Sequence, residues 1–391
     1  MKVYLKKIRE VFTIFNKKSL LTGVMALSLS GFLAACGGGG DEGGSGDGGD
    51  SAGGSSETWR MVTEEVDGQV QFEYAQEFAD RINEKTDGRI TIEPYEFGGL
   101  GNETDQVEQL ETGAVEMAVM SPGFTGNMVK EGQLFALHFL FPDDVAKTQE
   151  VLNNSEALNT DLREKYEEHG ISPLSFWTEG AMQWTSNTPI EEPADFEGLK
   201  MRTQTSPLIL ESYKAYGADP QSMSWGELYT ALDRGTVEGQ ENPIFFIGDA
   251  SFHEVQDYMT ISNHNNYVAM TTVNSDWYEG LDEETQSTID ETVQEMQEWV
   301  FEEQKSQNEE WLQTIKEDEE NATEIIELTE EQREAFRSEA MGVRDFYRNE
   351  VSTVDGAILD KLEQEISDIS GEDTGESSED GSSEGDSGSE E

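Results

Sequence analysis

Apolar and polar positions along the chain follow two periods, one of two residues and one close to four. Thr58 to Glu65 reads as a strand, and Val70, Tyr74, Phe78 and Ile82 then recur every four residues, as on one helix face. Arg89 to Phe97 alternates like a strand, Glu103 to Glu111 reads as a helix, and Val115 to Met120 as a buried strand. Further on, Leu199 to Arg202 predicts a short strand. Ser206 is placed as an N-cap with Pro207 at the first helical position. Ser224-Trp225-Gly226-Glu227 has the spacing of a capping box, opening a helix through Leu232 that stops at Gly235. Strands are expected around Thr236 to Gly239 and after Asn263, the latter carrying Tyr267. This alternation predicts an α/β architecture with parallel or mixed sheets.

From Leu281 to about Glu319 there is no Gly and no Pro, and Ile289, Val293, Met296, Val300, Trp311 and Ile315 keep a roughly helical spacing. A continuous helix there would reach about 55 to 60 Å. That exceeds one small lobe, so the helix is expected to brace two; a broken pair of helices is the alternative. Aromatic and aliphatic residues run throughout 57–370, enough for two packed lobes rather than one core. No internal repeat is present.

The two ends of the chain differ from this body. Lys2, Lys6, Lys7, Arg9, Lys17 and Lys18 make a basic start before an apolar or small-residue run from Ser19 to Leu33, the layout of a signal peptide over residues 1–35. It ends in Leu33-Ala34-Ala35-Cys36, which is similar to the lipobox of bacterial lipoproteins. Cys36 is the chain's single cysteine and is expected to be acylated, anchoring the protein to the membrane on its extracytoplasmic side. Residues 36–56 are rich in Gly, Ser and Asp and predict a flexible tether. Residues 371–391 predict a disordered acidic tail. The net charge is -58, and removing the basic leader makes it more negative still. Such a chain repels nucleic acid and acidic headgroups. It suits high salt, where the Debye length falls to about 3 Å at 1 M, and points to a salt-loving or salt-tolerant bacterium.

Open α/β sheets bind ligands outside the carboxyl ends of their strands, so the residues after each expected strand are the candidates. Glu65 ends the first strand, Phe124 follows the third, and Arg202 ends a strand just before a helix N-terminus. Trp225 stands in the first turn of its helix. Asn242 and Phe246 follow the strand expected at Thr236 to Gly239, and Tyr267 lies on the next. One base, one acid, one amide and several aromatics suit a small ligand with a carboxylate and a cationic or delocalised head. Arg forks onto a carboxylate, and aromatic faces hold a cation at about 0.5 to 2 kcal/mol each. Set against this, the aromatics taken singly read as core and Arg202 as a surface residue beside Lys200. The histidines His138, His169, His253 and His264 lack the close pairing of a zinc site, and Gly381-Ser382-Ser383-Glu384-Gly385 matches a nucleophile elbow only by letters, without a strand before it. No cofactor and no catalysis are expected.

The run from Phe196 to Tyr278 resembles the solute-binding subunits of TRAP transporters, through Gly198-Leu199-Lys200-Met201-Arg202, Tyr216-Gly217-Ala218-Asp219-Pro220, Leu228-Tyr229-Thr230-Ala231-Leu232 and Gly239-Gln240-Glu241-Asn242-Pro243. The likeness extends from Trp59 to about Leu362. It implies a two-lobed clamp like that of periplasmic binding proteins, with lobe 1 at 57–180 plus 268–300 and lobe 2 at 181–267 plus 301–370. A long helix would span both. It also implies a monomer that delivers its solute to small and large membrane subunits, or alternatively serves a sensor. In that family the arginine matching Arg202 takes the ligand carboxylate and the asparagine matching Asn242 assists. A second arginine common there is replaced by Met182, which weakens readings with a second anion. The nearest branch resembled is that of ectoine and hydroxyectoine binders, echoed by Trp59-Arg60 with Glu64-Glu65, Ser121-Pro122-Gly123-Phe124-Thr125-Gly126 and Asn242-Pro243-Ile244-Phe245-Phe246. That branch implies Glu65 on the amidinium of the ring and Phe124, Trp225, Phe246 and Tyr267 as an aromatic cage. Another small monocarboxylate is the alternative ligand.

Overall fold

The computed structural model describes residues 56–353 and 356–371. The basic leader, Cys36, the Gly/Ser/Asp stretch through Ser55 and the acidic tail beyond Gly371 lie outside the described residues. In chain order the strands are β1 (Glu57–Thr63), β2 (Ile90–Tyr95), β3 (Met117–Met120), β4 (Ile171–Ala181), β5 (Gln183–Ser186), β6 (Arg202–Thr203), β7 (Gln221–Ser222), β8 (Gly239–Asn242), β9 (Tyr258–Ile261), β10 (Asn266–Asn274) and β11 (Glu324–Glu327).

Two mixed sheets result. The first has the order β2-β1-β3-β10-β4, with β1 parallel to β2 and β3, and β10 antiparallel to both of its neighbours. The second has the order β11-β9-β5-β8, with β5 antiparallel to its neighbours. The short β6 pairs with β7, and a parallel bridge from Met201 to Gly239 ties that pair to β8. The chain crosses from the first sheet to the second at Met182 and returns through residues 262–265. The crossings touch where the Met182 N–H donates to the Asn265 carbonyl at 2.8 Å. Gly180, just before the first crossing, has φ +111, and a Cβ there would stand 2.7 Å from the Asn308 amide, so glycine is required twice over.

The expected long helix is one continuous element, Glu283–Glu317. Its buried Ile289, Val293, Met296 and Val300 join Tyr74, Phe78 and Ile82 of helix Val70–Lys85 and Trp177 of β4 in one core. Each such side chain contributes about 1.5–3 kcal/mol on burial. Further along, Ile315 enters another core with Leu228, Leu232, Val237, Ile247 and Met259, beside the second sheet. A single helix thus buries its two halves in the cores of two sheets and fixes their spacing at the back. The two-lobed α/β clamp with a spanning helix is the observed architecture.

Local expectations needed several corrections. Arg202 opens β6 instead of ending a strand over Leu199 to Arg202. His138 and His264, far apart in the sequence, meet with ring centroids 4.6 Å apart beside Glu241. The strand expected at Thr236 to Gly239 starts at Gly239 instead. Gly235 takes φ +64 and the Thr236 N–H returns to the Ala231 carbonyl, so 235–238 form the helix exit and Gln240 to Asn242 lie within β8. The capping box at Ser224 does not close either. Ser224 occupies the N-cap of helix Trp225–Asp233, but its hydroxyl makes no capping bond there.

Candidate functional site

The site lies where strand ends of both sheets meet. β1 ends at Thr63 and delivers Glu64, and β3 ends at Met120 and leads into the short helix Pro122–Thr125 with Phe124. Because β10 runs antiparallel to β3, its beginning lies at the same edge and brings Tyr267 there. From the other side come Arg202 at the start of β6, Asn242 at the end of β8, Trp225 at the head of its helix and Phe246 in helix Ile244–Asp249.

Phe124, Arg202, Trp225, Asn242, Phe246 and Tyr267, six of the seven expected ligand residues, line one cavity of about 260 Å³. The seventh, Glu65, is not among the lining residues; its neighbour Glu64 is. Consecutive residues leaving a strand point to opposite sides, and the two carboxylates follow that rule. Glu64 Oε2 accepts from the Ser121 N–H at 3.0 Å and from the Tyr267 hydroxyl at 3.4 Å, while Oε1 is buried without a partner. Glu65 turns away, accepting from the Gln71 N–H at 2.7 Å and pairing with Glu179. Gln71 links the two acids by donating to Glu179 Oε1 at 2.9 Å. A register shift opposite Tyr267 and Val268 makes Glu179 the extra residue of a bulge in β4.

Burial sets the charge states. The Glu64 carboxyl stands well above the usual carboxylate range because it is desolvated, with Glu103 and Glu179 adding to the rise. The Glu65 carboxyl is also raised, by burial and by Glu179, and burial pushes Glu179 up to about 7. Burial and mutual repulsion thus favour the protonated forms of this pair. Opposite them, the Arg202 guanidinium is 3% exposed and donates Nε and Nη2 to the Met223 carbonyl at 3.2 and 2.9 Å. Among the described residues no carboxylate forms an ion pair with it. Burial lowers its pKa while Glu103, Tyr267 and Glu241 act against that. Asn242 Nδ2 donates to Gln240 Oε1. The rings form a bent wall, with Trp225 to Phe246 at 4.9 Å and Phe246 to Tyr267 at 5.6 Å between centroids.

The sequence reading missed Glu64, Glu103 and Gln204, all of which line the cavity. Gln204 had a usable signal, since in extended backbone residues 202 and 204 share a face. Glu103 had none, because its role crosses the cleft. Its carboxylate accepts from Ser224 Oγ at 2.7 Å and from the Trp225 N–H at 2.8 Å. Other bonds close the same mouth: the Ser206 N–H to the Gly123 carbonyl at 2.9 Å and Gln69 Nε2 to Asp249 Oδ2 at 2.7 Å. Met182, at the position of the family's second arginine, lines a cavity behind this one.

A buried guanidinium with no ion-pair partner among the described residues and a buried carboxyl oxygen without a hydrogen-bond partner belong to residues that line one cavity, the makings of a binding site. Residues 61–350 match the bacterial extracellular solute-binding proteins of family 7, DctP. The chain belongs to that family. It is 34% identical over 320 residues to the ectoine-binding periplasmic protein TeaA of Halomonas elongata, covering 82% of this chain and 93% of that one. It is also 34% identical over 319 residues to the ectoine/5-hydroxyectoine-binding periplasmic protein UehA of Ruegeria pomeroyi, covering 80% and 91%. The crystal structure of the ectoine-binding protein from the Halomonas elongata TRAP transporter superposes with a TM-score of 0.77, over 80% of this chain and 100% of that one, at 34% identity. As a DctP-family protein the chain is an extracytoplasmic solute-binding subunit of a TRAP transporter. It captures a small solute and delivers it to a membrane permease, and its fold is that of a binding protein rather than a catalyst.

Proposed function

We propose that the solute is ectoine or hydroxyectoine, a compact zwitterion. The observation that carries this reading is that Arg202 and Glu64 line one cavity together with the rings of Trp225, Phe246 and Tyr267. Arg202 takes the carboxylate, assisted by Asn242, and Glu64 meets the amidinium. The Glu65–Glu179 pair behind Glu64 supplies further negative charge once it loses its proton. Phe124 and the other rings cover the faces of the delocalised cation, where such contacts strengthen on desolvation. Two names among the similar proteins carry the same ligand, and the very acidic composition suits a salt-stressed cell that imports an osmolyte. Cys36 carries the lipid anchor, and the stretch behind it tethers the clamp to the membrane.

The test is a calorimetric titration of the mature chain in molar salt with ectoine, hydroxyectoine and a small 2-oxo acid. The two ectoines should bind tightly and the oxo acid weakly or not at all. Heat from the oxo acid alone would refute the ligand and leave the family assignment standing.

A further inference from the structure

A second, narrow cavity adjoins the first. Gln204 and Tyr267 line both and form the boundary between them. The Gln204 amide lies across that boundary, donating from Nε2 to Ser121 Oγ at 3.1 Å and to the Tyr267 hydroxyl oxygen at 3.2 Å. It can lie there because residue 123 is glycine. A Cβ on Gly123 would stand 1.9 Å from Gln204 Oε1.

The inner wall mixes apolar Met182 and Val268 with polar Gln133, Asn265 and Ser206. Gln133 and Asn265 spend their amides on the backbone, to Gly126 and Phe135 respectively. Ser206 does not. It sits at the N-cap of helix Pro207–Ala215, where a serine hydroxyl ordinarily accepts from the helix, yet its Oγ is buried and has no partner. A buried, unsatisfied hydroxyl beside empty space calls for a hydrogen-bonding occupant. The ionisable groups that reach the chamber are Glu241, His138 and the Tyr267 phenol. Burial drives the His138 imidazole down to about 3, so it is neutral, and no Arg or Lys lines the space. A second carboxylate would find no cation here.

We infer that Gln204 sets the length of the solute the protein accepts: its amide walls the outer cavity off from an inner subsite suited to an uncharged, hydroxyl-bearing extension of a monocarboxylate. This rests on the reading of the outer cavity as the solute site. A compact solute fills the outer cavity alone and leaves the partition shut. A longer one needs the amide displaced.

Gluconate, one carboxylate with a hydroxylated tail, is the probe, titrated beside ectoine into the mature chain in molar salt. Gln204→Ala should move the gluconate-to-ectoine affinity ratio toward gluconate by about tenfold or more, the worth of one or two well-made hydrogen bonds. Gly123→Ala should move it the same way, since it evicts the same amide while leaving residue 204 in place. In the Gln204→Ala background, Ser206→Ala should take back part of the gain. An equal loss for both ligands in the two single variants, or an unchanged ratio, overturns the inference. Failure of the unmodified chain to bind ectoine is a separate result and overturns the reading of the outer cavity.

Discussion

Arg202, Glu64 and the Glu65–Glu179 pair are four ionisable groups of which only one is a cation, all within the protein interior. With no solute, burial favours the protonated carboxyls, and Glu179 rises to about 7. The groups that face the pair are Gln71, which donates to both acids, and Glu64, which opposes their ionisation. A cationic ring arriving beside Glu64 favours the ionised forms, so binding should expel protons. Ectoine titrations at pH 7 in two buffers of different ionisation enthalpy should therefore show net proton release. Affinity should weaken as the pH falls below about 7. Glu179→Gln should reduce the release. Proton uptake, or none at all in the unmodified chain, would show that the ring does not sit against these acids. The same raised groups favour the folded state toward acid. Their contribution is present below the ordinary carboxylate range and is lost as pH rises through about 7, which makes the empty site least stable where it is readiest for a cation. At this scale Arg202 was singled out by the family resemblance, since its spacing alone read equally well as a surface arginine beside Lys200. It did not separate Glu64 from Glu65. That choice depends on which side of an extended chain each carboxylate leaves, and on a bulge that brings Glu179 up from β4.

Helix Trp225–Asp233 shows how an element can carry the right letters and a different partner. Ser224 and Glu227 have capping-box spacing, but the free end of the helix is satisfied by Glu103, from the head of helix Glu103–Glu111 on the other side of the cleft. A carboxylate at a helix N-terminus is stabilised by the exposed N–H groups and the dipole. Here the cap spans the cleft, as a latch would, next to the Trp225–Phe246 ring contact. Glu103→Ala frees both donors and should weaken ectoine binding by about 1 to 3 kcal/mol. Glu103→Gln, which keeps one acceptor oxygen, should fall between. Unchanged affinity in the alanine variant would remove the latch from the account. The long helix was more legible. Its Gly- and Pro-free run and apolar spacing predicted one brace for two lobes, and Glu283–Glu317 is that brace, with Val300 in one core and Ile315 in another.

Seen as a whole molecule, the clamp has a braced back and a mouth held by a few hydrogen bonds. The long helix and the paired crossings at Met182 and Asn265 hold the sheets together behind, and the bonds from Glu103, Gln69 and Ser206 draw the mouth shut in front. Hinge closure of this kind buries a ligand and offers the membrane partner a shape that the empty form lacks. The net charge of -58 would repel the closing lobes at low salt, a repulsion that high ionic strength screens. The proposed lipid anchor is tested at this scale as well: Cys36→Ala should release the protein from the membrane fraction, and retention there would refute acylation at that residue. Alternation of strands and helices made the fold class readable from the chain. The inner cavity was not readable, because it is enclosed by Gln204, Met182 and Ser206 from separate elements whose meeting depends on tertiary packing. The central claim is that one compact zwitterion fits between Arg202 and the acidic wall, and the most direct measurement is calorimetric titration of ectoine into the mature chain and its Arg202→Ala variant in molar salt. Tight binding that weakens by about 2 to 5 kcal/mol in the variant is the predicted result; equal affinity in both, or no heat with the unmodified chain, would contradict it.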